Sequence, residues 1–375
     1  MAFTYRIEKG IALTNQEVDD NFRELENIYS SSTIFRADVA ISGTGQIRND
    51  QSSIIKLANG QLAILFNGYT TGAVDASDSS IKIAKSSDGG RSWEAPTVLI
   101  SSSGEPKVVP SLWKKTNGDI IVIYIVRLAD GNTNIVRRIY NGNLDTIVEN
   151  DFLIASGGYF PVKPDAINYD ERNDRLVFPY PRFVSGTKES GSSVYEGKML
   201  MSADDGITWT DSGVTIPGII TGGFGGALEP GFFSSGTYYN YYYFRNLGGN
   251  VGYQLLNFAN GTYSLGNSGT LLAASNTQSA FRYIPKLRCF VGAYARFDQR
   301  KQVDLAISRD AVTWYNLFQI EHNAYSGISG INEPSIFVDE NRIIVTYSDN
   351  LVIGNDFSLR SISIPFTALT LSGIV

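Results

Sequence analysis

An eight-residue pattern, Ser-x-Asp-x-Gly-x-x-Trp, occurs in two clean copies, Ser86-Ser-Asp88-Gly-Gly90-Arg-Ser-Trp93 and Ser202-Ala-Asp204-Asp-Gly206-Ile-Thr-Trp209. A third, worn copy, Ser308-Arg-Asp310-Ala-Val-Thr-Trp314, lacks the Gly and is one residue short between Asp and Trp. The spacing describes a compact turn. The Asp carboxylate can accept backbone N–H bonds across the loop, Gly can take positive φ, and Trp can cap the hairpin with buried area. Such a turn needs a strand on each side, and Ile81-Lys-Ile83-Ala84 before the first copy with apolar residues to Ile100 after it supply both.

The chain around these turns is repetitive. From about residue 50 a unit of roughly 50 to 60 residues recurs. Each unit opens with a strand pair: Ser53–Leu57 with Gln61–Phe66, Val109–Trp113 with Asp119–Tyr124, and Asp165–Tyr169 with Arg175–Phe178. Three more open at Glu229, Ser279 and Glu333, and the Asp-containing turns join the third and fourth strands of units one, three and five. With 21 Tyr, 20 Phe and 37 Gly among 375 residues and only 18% charged, the composition suits short strands and tight turns. The expected architecture is all-β: a six-bladed β-propeller over residues 33–375, its last blade finished by Leu359 to Val375 and closed by a strand near residues 33 to 42. No second globular domain is evident.

Residues 1–32 differ in kind. Thr14-Asn-Gln-Glu17 reads as a capping box, and Val18, Phe22, Leu25 and Tyr29 follow at helical spacing. This predicts one amphipathic helix that packs on sister chains, a trimer being favoured, or on a neighbouring protein. Docking on its own propeller is the structural alternative.

The Asp-containing turns resemble the Asp-box (BNR) repeat of the sialidase superfamily, and that resemblance implies a sialidase-like six-bladed propeller. The box itself is structural. The stretch Ala12-Leu-Thr14-Asn-Gln-Glu17-Val18-Asp19-Asp-Asn21-Phe22-Arg-Glu-Leu25 resembles the short N-terminal segment of bacteriophage tail-fibre and tail-associated proteins. It implies a virion setting, after synthesis in the host cytoplasm, with other tail proteins as partners.

Composition narrows the chemistry. With 31 basic against 37 acidic residues the net charge is −6, which argues against a nucleic-acid partner. Cys289 is the only cysteine and His322, read as a loop residue, the only histidine. There is thus no internal disulfide and no Cys or multi-His zinc site, and no metal or other cofactor is expected. An all-oxygen calcium site is left open. No apolar run approaches the ~18 residues of a membrane span.

Propeller geometry puts the start of strand one and the end of strand two of every blade on one face, opposite the Asp turns. Second strands end in Arg127, Arg182, Arg245 and Arg296, and first strands begin with Asp50, Asp165, Glu229 and Glu333. These positions predict a cleft lined by guanidinium and carboxylate groups, suited to acidic sugars. The plainer account is mutual salt bridging at a solvated rim. Thr221 to Gly226 reads as a rim loop, and Tyr238 to Phe244 mostly as strand residues packed between blades.

The sialidase resemblance implies particular roles. Glu229, Arg245 and Arg300 look like the family's tyrosine-orienting Glu and two of the arginines that clamp the sialic acid carboxylate. Arg48 stands about two residues from the position of the family's first Arg. The Tyr-Ser that opens the family's final blade is replaced by Glu333-Pro-Ser, with Tyr325-Ser326 just upstream. Asp75 or Asp78 would stand in for the family's acid. Phage endosialidases, built on the same propeller, also retain a reduced catalytic set. The sequence therefore points to a phage tail fibre or receptor-binding protein that recognises a host cell-surface polysaccharide. An active glycoside hydrolase using Glu229 and Glu333, with Asp75 and Tyr325, is the first alternative, and a structural tail protein with an inert propeller is the second.

Overall fold

The computed structural model describes residues 33–41, 48–70, 78–188, 193–218, 220–221, 224–234, 240–246, 250–274, 277–296, 300–322, 330–349 and 357–370. The expected N-terminal helix, Asp75 and Tyr325 lie outside them. Six sheets stand around a common axis, forming a six-bladed β-propeller. Four-stranded meanders form blades one (Arg48 to Ile100), two (Lys107 to Gly158), four (Leu228 to Ala273) and five (Ser279 to His322). Blade three (Asn168 to Asp211) is irregular: Phe224–Gly226 adds in parallel to Val194–Ser202, beside the short outer strand Thr210–Asp211.

Blade six takes three strands from the end of the chain and its outermost from the beginning. Phe35–Ala40 runs antiparallel to Ser358–Pro365, with Phe35 opposite Ser363. A short helix, Phe366–Thr370, follows and tucks Phe366 and Leu369 between blades five and six.

Burial explains the strand composition. First strands meet one another around the axis, so Arg48–Lys56 and Leu228–Ser234 are almost wholly enclosed. Second strands are covered on both faces, which is why the strand Ile120–Arg127 reads as an unbroken apolar run up to Val126. Outer strands such as Ile147–Gly158 are largely exposed. Each gap between blades is filled by its own apolar cluster, for example Val177, Met199, Phe232 and Tyr242 between blades three and four. The tyrosine run behaves as its alternation demands, with Tyr241, Tyr242, Tyr243 and Phe244 all buried.

The Asp turns join third and fourth strands as expected and also lean on the preceding blade. In blade three, Asp204 accepts from the Thr208 backbone N–H at 2.9 Å and from Thr208 Oγ1 at 2.6 Å, while Gly206 N–H donates to Ser202 Oγ at 2.8 Å. Burial pushes the Asp204 carboxyl up, but the Thr208 and Ser202 bonds outweigh it and hold the pKa below its usual value. The next residue, Asp205, accepts from Trp113 Nε1 at 2.9 Å and from Thr116 N–H at 2.7 Å, both in blade two. In blade one, Trp93 Nε1 donates to Ser361 Oγ of blade six at 2.9 Å. The worn turn shows what the missing residue did. The clean turns carry two consecutive positive-φ residues, Gly89 with Gly90 and Asp205 with Gly206, and the short one carries only Ala311 (φ 57).

Gly206 is confined doubly. Its φ is +83, and a Cβ there would lie 2.3 Å from Ile121 Cδ1 of blade two. Gly206→Ala is therefore expected to cost about 1–3 kcal/mol, through left-handed strain and overpacking. Gly213 is the control, since it also has positive φ but nothing lies within 4 Å of an added Cβ. Urea titration of both Ala variants checks this, and equal losses would show that the inter-blade contact contributes nothing.

Candidate functional site at the propeller axis

Five first strands enter the axis through residues in the left-handed region: Gln51 (φ 52), Val109 (φ 61), Asp165 (φ 55), Glu229 (φ 43) and Glu333 (φ 55). In four of these blades the pairing slips at this point. Asp50 faces Asn67 and Ser53 faces Leu65, so two residues of the inner strand oppose one of its neighbour; the same slip follows Val108, Leu228 and Asn332. These are β-bulges, which re-aim a side chain at a modest backbone cost. Blade five pairs without interruption from Ser279 to Ile284. The bulge makes Gln51, rather than Asp50, the counterpart of Glu229 and Glu333.

The bulges and adjoining loops bring together five of the expected residues. Arg245 Nη1 lies 2.7 Å from Glu229 Oε2. Arg48 pairs with Asp50 through Nε and stands 3.7 Å from Glu333 Oε1 through Nη2, its guanidinium held over the rings of Tyr69 and Phe357. Asn67 Nδ2 fixes the Gln51 amide at 2.5 Å and the Asp50 carboxylate at 3.2 Å. Arg300 completes the group. Burial, then the nearby Arg245 and Arg48 cations, lower its pKa against the opposing pull of Glu229 and Glu333. Its backbone is left-handed (φ 58), and its carbonyl accepts from Ile331 N–H at 2.7 Å, tying it to the loop before Glu333. Three guanidiniums stand among three carboxylates, Asp50, Glu229 and Glu333, and a guanidinium in such a group can take a ligand carboxylate in bidentate fashion.

The other expected arginines stand elsewhere. Arg182, about half exposed, pairs with Glu196 directly across the ladder. Arg296 is 56% exposed, with Asp304 4.0 Å away. Arg127 lines a separate cleft between blades two and three. His322 ends the strand Tyr315–His322 instead of lying in a loop.

A second charged layer was not legible in the sequence. Asp165 of blade three accepts from Ser53 Oγ of blade one at 3.3 Å and pairs with Arg282 of blade five. Three alternate blades therefore meet at one carboxylate. Arg282 also donates to the carbonyls of Asp165 and Phe281, at 3.1 and 3.0 Å. Beside them Lys163, only 1% exposed, donates to Pro164 O at 2.9 Å and faces the Tyr243 ring. Burial lowers its pKa to about 8, with Arg282 adding to the drop and Asp165 and Glu229 opposing it. The available signal was a lone charge in each of two apolar contexts, Phe281-Arg282-Tyr283 and Val162-Lys163-Pro164.

Fold and site together define a sialidase-like six-bladed propeller with an arginine-rich axial site. Among solved structures, the NanB sialidase from Streptococcus pneumoniae is similar at 13% identity and a TM-score of 0.67, over 96% of this chain and 73% of that one. A Trypanosoma rangeli sialidase mutant displaying trans-sialidase activity is similar at 13% identity and a TM-score of 0.64. The match covers 92% of this chain, which spans 61% of that enzyme's length. A protein of unknown function from Dyadobacter fermentans is similar at 16% identity and a TM-score of 0.63, over 88% of this chain and 98% of that one. No protein-family model matches the sequence, and no curated protein matches it.

Proposed function

We propose that this chain is a bacteriophage tail fibre or receptor-binding protein whose propeller recognises an acidic glycan on the host cell surface. The observation that carries the recognition is the convergence of Arg48, Arg245 and Arg300 around Glu229 and Glu333. Burial, and after it the neighbouring Arg245 and Arg48 cations, lowers the pKa of Arg300, and a bound carboxylate would favour its charged form. Glu229 holds Arg245 in place, and the buried Asn67 fixes Gln51 and Asp50 behind the arginines. The virion setting and other tail proteins as partners rest on the resemblance of residues 12–25 to phage tail segments, and the homotrimer on the apolar spacing of Val18, Phe22, Leu25 and Tyr29.

Hydrolysis is the second reading, favoured by the two carboxylates Glu229 and Glu333, which enter from different blades at equivalent bulges. One would donate a proton to the leaving oxygen and the other would act from the opposite side of the bond. Incubation with host polysaccharide separates the two: binding without new reducing ends is expected for a receptor-binding protein, and release of reducing ends establishes the hydrolase. Neither binding nor cleavage across a panel of acidic glycans would leave an inert structural propeller.

A further inference from the structure

The same face carries a second cleft, of about 390 Å³, between blades two and three. Its walls come from Glu105 before the first strand of blade two, Arg127 at the end of the second, Thr133 at the start of the third and Tyr159 after the fourth. Lys188, from the loop that follows the second strand of blade three, closes it. The ladder register sets Lys107, Arg127, Thr133 and Gly158 along one edge of blade two, just as it sets Leu228 and Arg245 along the corresponding edge of blade four. Axis and cleft thus open on one side of the disc.

We infer that this cleft is a second saccharide subsite, which takes an anionic residue of the same polymer whose other end occupies the axis. The inference rests on the reading of the axis as an acidic-glycan site. Its charge is suitable. Lys188 Nζ meets neutral oxygens, Asn132 Oδ1 at 2.7 Å and Gly131 O at 3.4 Å. Two acids stand close by: Asp130, which accepts from the Asn132 N–H and Nδ2, both at 2.8 Å, and feels the Lys188 charge, and Glu105 in the cleft wall, which lies 3.3 Å from Lys107 Nζ. In a chain of net charge −6, the cleft presents Arg127 and Lys188 as its cationic walls.

Buried packing links its floor to the strand that carries Glu229. Tyr159 lies under the Lys188 ammonium and packs on Tyr195, which packs with Leu228, the residue before Glu229. The volume falls at the small end of the ~300–1,000 Å³ range of ligand pockets, room for a sugar residue or two. Two weak sites on one polymer gain through effective concentration, so length is the variable to which the cleft responds.

The test is calorimetric titration of the full chain with an α2,8-linked sialic acid octamer and with free sialic acid. The octamer is expected to bind at least ~10-fold more tightly than the monomer. Lys188→Glu is expected to remove that gain and leave monomer affinity unchanged, Lys188→Gln to remove part of it, and Lys188→Arg to retain it. An octamer that binds no better than the monomer, no octamer binding at all, or a Lys188→Glu variant with wild-type octamer affinity overturns the inference. An unchanged melting temperature for Lys188→Gln excludes misfolding as the cause. The axial reading fails separately: if Arg300→Ala leaves octamer binding intact while Lys188→Glu abolishes it, the cleft stands and the axis does not.

Discussion

Arg300→Ala is expected to weaken binding of a carboxylated sugar by at least about a hundredfold, equivalent to about 3 kcal/mol. The expectation follows from where the side chain sits. Arg300 is held beside Arg245 and Arg48, and its lowered pKa records a cation kept where burial and like charge disfavour it. A ligand carboxylate offsets that cost, and when Arg300 is deleted Glu229 keeps Arg245 and Glu333 keeps Arg48. Apparent stability without ligand should therefore be unchanged or slightly raised while affinity collapses. Arg245→Ala should lose affinity as well, and it should also lose stability because Glu229 is stranded. Titration with acidic monosaccharides, together with melting curves of the two variants, distinguishes these patterns. Wild-type affinity for Arg300→Ala would remove the axis from consideration as the anion site.

Arg282→Ala should destabilise the propeller by about 3–5 kcal/mol, the cost of breaking one side of a buried ion pair. Asp165 would keep Ser53 and Lys163 as neighbours but lose its direct cation. Burial already pushes the Asp165 carboxyl above its usual value, with Arg282, Lys163 and Ser53 restraining it. A carboxyl raised in the folded state binds its proton more readily there than in the unfolded chain, so its ionisation lowers stability as pH rises through the folded value. Removing Arg282 enlarges that effect. The deficit of Arg282→Ala should therefore be greatest near neutrality and should narrow as the medium is acidified. Replacing both partners, as in Asp165→Leu with Arg282→Met, should cost less than the single change because no charge is left buried alone. Denaturant titrations of the variants at pH 5 and pH 7 measure both effects. A deficit that grows on acidification would show that the restraint on Asp165 comes from elsewhere.

Much of the architecture was legible because it is written locally. A Ser-x-Asp turn specifies its own hydrogen bonds, and an unbroken run such as Ile120 to Val126 specifies burial on both faces. Even the closing strand near residue 35 could be expected from a last blade one strand short. The site was legible only in part. Glu229, Arg245 and Arg300 emerged through resemblance, and Arg48 reaches the group although its sequence spacing is displaced. A repeated arginine at the ends of second strands suggested four equivalent ligands. In the folded chain Arg182 turns to Glu196 on the neighbouring strand, and Arg296 stands in solvent. The difference between Asp50 and Gln51 depends on a bulge, which shifts every later side chain by one position and leaves no clear trace in composition. The Ser53, Asp165 and Arg282 meeting depends on ring closure, since no two of those residues share a blade.

Closure also dictates the order of assembly. The strand Phe35–Ala40 is made early, yet its partner Ser358–Pro365 is made late, so its ladder cannot form until nearly the whole chain exists. Until then Val39 and Ala40 have no place in the cluster they later share with Ile54, Phe66 and Leu359. Loop-closure entropy on this scale slows folding and lengthens the period in which a strand edge stands open to other chains. A translation product that stops before residue 358 would leave Phe35–Ala40 without its partner strand, its backbone edge open to pairing with another chain.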